Sequence, residues 1–208
     1  MAVAPAPAGR YRVPTAALRG GFFYGRSAAP IRTSTMIPST LRGDCAQCAA
    51  LCCVALAFDR SPLFAYDKPA GEPCANLGAN GRCAIHAERA ARGFGGCEAY
   101  DCLGAGQAVT QGLFGGASWR DDPALLGPMM RAFAALRPAH EALALLRGAR
   151  RMALPAEALG RLQAVEDGLA PAGGWTRADI ANGRIERATE AARAFLRSLA
   201  PLVEREPA

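Results

Sequence analysis

Lysine is almost missing from this chain: of its 24 basic residues only Lys68 is a lysine. Lys68 lacks the glycine frame of a phosphate-binding loop, so a P-loop nucleotide site is excluded. Such an arginine bias reads as the signature of a GC-rich genome, not of a phosphate-binding surface. Aromatic residues are scarce at 7%, and alanine and leucine carry most of the apolar content, which favours helix. No run of 18 or more uncharged apolar residues occurs, so no membrane span is expected. Acidic residues are absent before Asp44, while six arginines (10, 12, 19, 26, 32 and 42) lie ahead of it. The remaining 18 basic residues match the 18 acidic ones, so the net charge of +6 belongs to the N-terminal segment. A basic face on the folded body is not demanded, and no nucleic-acid partner is expected. Gly104-Ala105-Gly106 lacks the third glycine of a dinucleotide fingerprint, and no Gly-x-Ser-x-Gly elbow occurs.

Residues 1–43 are rich in proline, glycine and arginine, and read as a disordered basic tail. A translation start at Met36 would remove most of it. The acid-free, arginine-rich composition also fits a transit peptide, but serine is sparse and no amphipathic helix shows. No hydrophobic stretch suits a signal-peptide core, so a cytoplasmic location is expected.

What is abundant is cysteine, and it is confined. All eight cysteines (45, 48, 52, 53, 74, 83, 97 and 102) lie within one stretch, and none follows Cys102. A disulfide framework suits the even count, but not a reducing compartment or the adjacent pair Cys52-Cys53. Buried free thiols would account for one or two of them, Cys53 and Cys102 for example, but not for eight. Metal ligation is the reading adopted, because thiolates are soft ligands for zinc, copper(I) or iron–sulfur clusters. Cys45-Ala-Gln-Cys48 has the two-residue spacer that lets two thiolates reach one ion. The stretch Ala46–Phe58, free of glycine and proline, is expected to be helical, with Cys45, Cys48 and Cys52 on one face and Cys53 turned away. Val54, Leu56 and Phe58 then read as core. Asn80-Gly81 before Cys83 predicts a tight turn that brings Cys74 and Cys83 together. His86 is a candidate further ligand, or a hydrogen-bonding residue at a turn. His140 reads as an ordinary helix residue, and Glu98 and Asp101 as supporting or helix-capping groups.

Taken in order, Cys45-x-x-Cys48-x-x-x-Cys52-Cys53, Pro73-Cys74-x-x-Leu77, Gly81-x-Cys83-x-Ile85-His86-x-x-Arg89 and Cys97-x-x-Tyr100-x-Cys102 resemble the CxxCxxCC zinc- or iron-chelating domain of YkgJ-like cysteine-cluster proteins. The likeness covers about residues 44–107. Lys68-Pro69-Ala70-Gly71, Gly104-Ala105-Gly106-Gln107 and Phe114-Gly115-Gly116-x-x-Trp119-Arg120 are similar to the domain that precedes pentapeptide repeats in some bacterial proteins. Here the spacer between Cys48 and Cys52 has three residues where the family name implies two, and His86 stands where a tyrosine is usual. The resemblance implies metal binding and says little about purpose.

After the cluster the pattern turns helical. Asp121-Asp122-Pro123 reads as a helix start. The stripe Leu125, Leu126, Met129, Met130, Phe133 and Leu136 follows, and Pro138 is expected to kink or break it. A second helix is expected after Pro155, and a third capped by Thr176-Arg177-Ala178-Asp179. The fold class expected is mainly α: a disordered tail over 1–43, an irregular cysteine-rich metal-binding module over 44–120 and a small helical bundle over 121–208. Zinc or an iron–sulfur cluster is the expected cofactor, in a structural or partner-binding protein or, alternatively, in an iron–sulfur enzyme or redox subunit. A protein partner would dock on the helical part.

Overall fold

The computed structural model describes residues 41–203, with the side chains of 41–201. Most of the expected basic tail therefore lies outside the described residues. Its last members do not: Leu41 packs against the hydrophobic core, and Gly43 lies beside Asp101 and Cys102.

The fold is mainly α, as expected. Among the described residues there is no strand, only isolated antiparallel bridges at Phe58–Lys68, Ser61–Phe64 and Leu77–Cys83. Residues 41–125 hold short elements: α1 (Leu51–Ala55), α2 (Gly95–Ala99) and α3 (Ala105–Gln107), which widens into a π turn over Ala108–Leu113. Long helices follow: α4 (Leu126–Ala149), α5 (Ala156–Leu169), the short α6 (Arg177–Ala181), α7 (Arg184–Ser198) and α8 (Ala200–Val203).

Two sequence expectations change here. The helix expected over Ala46–Phe58 is only α1, preceded by a separate 3-10 turn at Cys45–Gln47. Ala50 between them adopts a left-handed conformation (φ 56°), which ends one turn and starts the next in a new direction. Pro138 does not break α4, which runs through it for 24 residues. Proline removes the hydrogen bond to the carbonyl of Ala134, but Ala134 is exposed, so that carbonyl can meet water. The third helix starts where expected. The Thr176 hydroxyl accepts from Asp179 N–H, and the Asp179 carboxylate accepts from Thr176 N–H (2.9 Å). Asn182-Gly183 then divides the segment into α6 and α7, with Gly183 at φ +70°.

The core explains the arrangement. Met129, Phe133, Leu136 and Leu146 of α4 are fully buried and meet Leu162 of α5 and Ile185, Ala192 and Phe195 of α7. On another side α4 meets Leu51 and Val54 of α1 and Ala105, Ala108 and Val109 around α3. Residues before and after position 120 therefore share one hydrophobic cluster. The cysteine-bearing segment is mounted on α4 through α1 and α3.

Candidate metal centre

Cys45 and Cys48 are held by side chains from the α3 region. Asp44 N–H donates to the Gln107 side-chain carbonyl (2.5 Å), and Gln111 Nε2 donates to Gln47 O (2.8 Å). Ala49 N–H donates to Thr110 Oγ1 (3.0 Å), and Trp119 Nε1 donates to Ala49 O (2.7 Å). These bonds hold Ala50 in its left-handed conformation. Asp44 caps the 3-10 turn by accepting from Ala46 N–H (2.8 Å). The sulfur of Cys48 accepts from Leu51 N–H (3.5 Å). It also lies against Gly106: a Cβ at Gly106 would stand 2.5 Å from Cys48 Sγ and 3.9 Å from Cys102 Sγ. Glycine at 106 is what lets these two thiols, 54 positions apart in the chain, share one backbone surface.

Cys102 has its own anchor. Leu103 is left-handed (φ 49°), its N–H donating to Asp101 Oδ1 (2.8 Å) and its carbonyl bonded to His140 Nδ1 (2.7 Å). His140 is therefore more than an ordinary helix residue: it ties α4 to the residue after Cys102. Burial lowers its pKa, so it sits in the fold as the neutral imidazole, Nδ1–H donating.

The other cysteines stand around α1 and the turns beyond it. Cys52 and Cys53 are neighbours on α1, with sulfurs 4.0 Å apart. Cys74 N–H donates to Cys53 O (2.9 Å), and Cys74 Sγ lies 3.0 Å from the Tyr66 hydroxyl. The turn expected at Asn80-Gly81 forms: Gly78 N–H donates to Arg82 O (2.8 Å), and Leu77 pairs with Cys83. Cys97 follows Phe94, whose ring packs edge-on against Tyr66 (5.2 Å), next to the stacked pair Phe58–Phe64 (4.4 Å). Gly96 allows this packing, since a Cβ there would fall 2.2 Å from the Phe64 ring.

All eight thiols are free. Among the described residues no three His, Cys, Asp or Glu side chains, as placed, converge on a point that would hold an ion. The thiols nevertheless feel one another. Burial raises the Cys45 thiol, and the charges of Cys102 and Cys53 raise it further. Burial pushes Cys48 up to about 11, with Cys102 and Cys45 adding to the shift. Cys52, bonded to Cys53, is strongly raised and keeps its proton, while Cys53 is lowered to about 7 by that bond and by the cations Lys68 and Arg89. Burial raises Cys83 and Cys97, and the charges of Cys53 and Cys74 raise both further.

Three polar groups beside the thiols carry a signal that sequence reading leaves without a role. Lys68 is 4% exposed, and its Nζ donates to Val54 O (3.3 Å), Leu56 O (2.5 Å) and Pro69 O (3.1 Å), closing the C-terminal end of α1. Among the described residues it makes no ion pair with a carboxylate, and its charged neighbours are Cys74, Cys53, Cys52 and, more weakly, Glu72. Arg89 has a buried Nε without a hydrogen-bond partner among the described residues, and its charge acts on Cys45, Cys53, Cys83 and Cys97. The Tyr100 hydroxyl is likewise buried and unpartnered, beside Cys102 and Cys52. A buried cation without a carboxylate ion pair and a buried donor without an acceptor favour negative charge nearby, which thiolates would supply. The residue types fit a soft cation or an iron–sulfur cluster. Lys68 was findable as the chain's one lysine, sitting inside the module. His86 is exposed, and its Nε2 lies 3.2 Å from the Arg89 guanidinium, the hydrogen-bonding place at a turn that the sequence offered as one of its two readings.

A cleft of about 320 Å³ borders Cys45 and Cys48 and is lined by Gln111, Arg82, Arg120 and Asp121 among others. Arg120 reaches across it to Ala79 O (2.6 Å).

No family model and no solved structure matches the chain. It is 45% identical over 103 residues to the uncharacterized protein YybG of Bacillus subtilis strain 168. The match takes in 50% of this chain and 37% of the relative, so it spans little more than a third of that protein.

Proposed function

We propose that this chain is a metal-binding cysteine-cluster protein of the CxxCxxCC kind, holding zinc or an iron–sulfur cluster through Cys45, Cys48, Cys52, Cys53, Cys74, Cys83, Cys97 and Cys102. One observation carries the reading: six of the eight free thiols, Cys45, Cys52, Cys53, Cys74, Cys83 and Cys97, interact with two cations, Lys68 and Arg89, that form no ion pair with a carboxylate among the described residues. A bound metal would supply thiolate-centred negative charge and a cross-link for turns that have few long elements of their own. The chain's own residues do the rest. Gly106 and Gly96 clear space, Gln107, Thr110, Gln111 and Trp119 fix the 44–49 segment, and Lys68 closes α1. A structural or partner-binding role follows from this reading, with a protein partner on the helical part, where Leu145 of α4 is 62% exposed. The alternative, chemistry at a cluster in an iron–sulfur enzyme or redox subunit, is favoured by the cleft beside Cys45 and Cys48. Free thiols suit the reducing cytoplasm. No nucleic-acid partner is proposed. Among the described residues no helix is long and apolar enough to cross a membrane.

The test is metal content and visible absorption of anaerobically purified protein. Colourless protein with stoichiometric zinc selects the zinc form. Brown, oxygen-labile protein with iron and sulfide selects the cluster. Metal-free protein with eight titratable thiols overturns the proposal.

A further inference from the structure

We propose that the eight cysteines form two separate tetrathiolate centres, Cys45, Cys48, Cys52 and Cys102 in one and Cys53, Cys74, Cys83 and Cys97 in the other, with the adjacent pair Cys52-Cys53 divided between them. This rests on the metal-binding reading above and goes beyond it in assigning ligands.

The grouping starts from backbone geometry. Cys48 and Cys102 face the same glycine, Gly106. Both flank a left-handed non-glycine residue, Ala50 two positions after Cys48 and Leu103 directly after Cys102. Such conformations cost about 1–3 kcal/mol each and persist where surrounding bonds hold them. Here Thr110, Trp119, Asp101 and His140 supply those bonds. Cys45 sits on the capped turn of the same segment, and its charge interacts with Cys48 and Cys102. Cys52 interacts most strongly with Cys53 beside it and then with Cys48 and Cys45, and its charge acts with that of Cys102 on the Tyr100 hydroxyl.

The second group forms around the other side of α1. Cys74 is bonded through its backbone to Cys53, and the turn at 78–82 returns the chain to Cys83. Leu77, paired with Cys83, donates its N–H to Cys74 O (2.9 Å). Cys97 follows Phe94, whose ring meets Tyr66, the residue whose hydroxyl lies 3.0 Å from Cys74 Sγ. The charges of Cys53 and Cys74 act on both Cys83 and Cys97. Cys53 also lies near Cys45 and Cys52, so contact alone does not place it. The count does: the first group has four thiols without it, whereas Cys74, Cys83 and Cys97 need a fourth. Successive residues on a helix diverge by about 100°, which lets Cys52 and Cys53 serve different centres. Two dianionic centres side by side would repel, and the charge of Arg89, which acts on Cys45 of the first group and on Cys53, Cys83 and Cys97 of the second, would offset part of that repulsion.

Each centre would bind one soft divalent cation as its thiols lose their protons, giving four sulfur–metal bonds and releasing protons to buffer. The experiment uses the full chain loaded with cadmium, read by cadmium content and by NMR of the bound cadmium. Two ions per chain are expected, with two resonances from all-sulfur coordination. Cys52→Ser and Cys53→Ser should each lose one ion, and a different resonance each. The same-centre double variant Cys48→Ser/Cys102→Ser should keep one ion, whereas Cys48→Ser/Cys97→Ser should keep none. Far-UV circular dichroism checks that α4, α5 and α7 remain folded. If a variant fails that check, titration of the unmodified chain decides: thiolate-to-cadmium absorption should stop rising at two ions and eight thiolates. One ion in the unmodified chain, a same-centre double variant that empties both centres, or loss of the same resonance from Cys52→Ser and Cys53→Ser overturns the division. A chain that binds no cadmium overturns the metal reading beneath it as well.

Discussion

Single atoms decide much of this site. Gly106 is the clearest case, since any Cβ there would overlap Cys48 Sγ at 2.5 Å. Gly106→Ala is expected to push Cys48 out of place, at an overpacking cost of about 1–3 kcal/mol. Bound metal should fall by one ion per chain while the helical circular dichroism is kept. Full metal content in this variant would show that Cys48 is not a ligand at its present position. His140 makes a second prediction. Its folded pKa lies below the ordinary value of about 6.5, because burial disfavours the imidazolium and Arg147 adds to this. The unfolded chain therefore takes up the proton first as pH falls. Stability from neutral His140 is complete above about pH 6.5 and is lost as pH drops below it. Comparing the melting temperatures of the native chain and His140→Gln from about pH 7.5 to 5.5 should show their difference shrinking. A constant difference would mean that His140 titrates as in the unfolded chain, and a growing one that its folded pKa is raised. The eight cysteines were legible in the sequence because their crowding has no bland explanation. Lys68, Arg89 and Tyr100 were visible as letters but not as roles, since only the fold shows that Lys68 is buried and that the Arg89 Nε and the Tyr100 hydroxyl are buried without an acceptor among the described residues.

Helices were legible to unequal degrees, and the differences have physical causes. The cap at Thr176-Asp179 and the start of α5 after Pro155 are local events, set by side chains within one turn, and both stand where the sequence puts them. The passage of α4 through Pro138 is not local. It depends on core contacts on both sides, from Phe133 and Leu136 to Leu143 and Leu146, and on an exposed carbonyl at Ala134. The broken helix at Ala50 depends on Thr110 and Trp119, about 60 and 70 positions away, so no window around Cys48 contains it. Glycines inside the long helices follow the local rule again. Gly160 lies within α5 and Gly148 within α4, and among the described residues a Cβ on either meets nothing within 4 Å. Gly160→Ala is expected to stabilise the chain by about 0.5–1 kcal/mol, through helix propensity and a less flexible unfolded state. Thermal unfolding should show a higher melting temperature with unchanged metal content. A fall would mean that α5 is strained or packed at that point.

At the scale of the whole described body, the cysteine segment and the bundle stand or fall together. Leu51 and Val54 of α1 are completely buried, and with Ala105, Ala108 and Val109 they enter the same cluster as Met129, Phe133 and Leu136 of α4. Fully burying a leucine or valine contributes about 1.5–3 kcal/mol, so losing this wall would strip α4 of a large part of its support. The wall is only as firm as the turns that carry it, and those turns are short elements joined at Ala50 and Leu103 by side-chain hydrogen bonds. A metal bound by the thiols would therefore stabilise the bundle without touching it. Removing metal with a chelator under reducing conditions is expected to lower a single unfolding transition, seen alike by far-UV circular dichroism of the helices and by fluorescence of Trp119 near the cluster. Leu51→Ala, which leaves every thiol in place, should lower the same transition by about 2–5 kcal/mol. Should the helices melt at an unchanged temperature in either case, while the Trp119 signal alone shifts, the two parts fold independently and the shared core does not couple them.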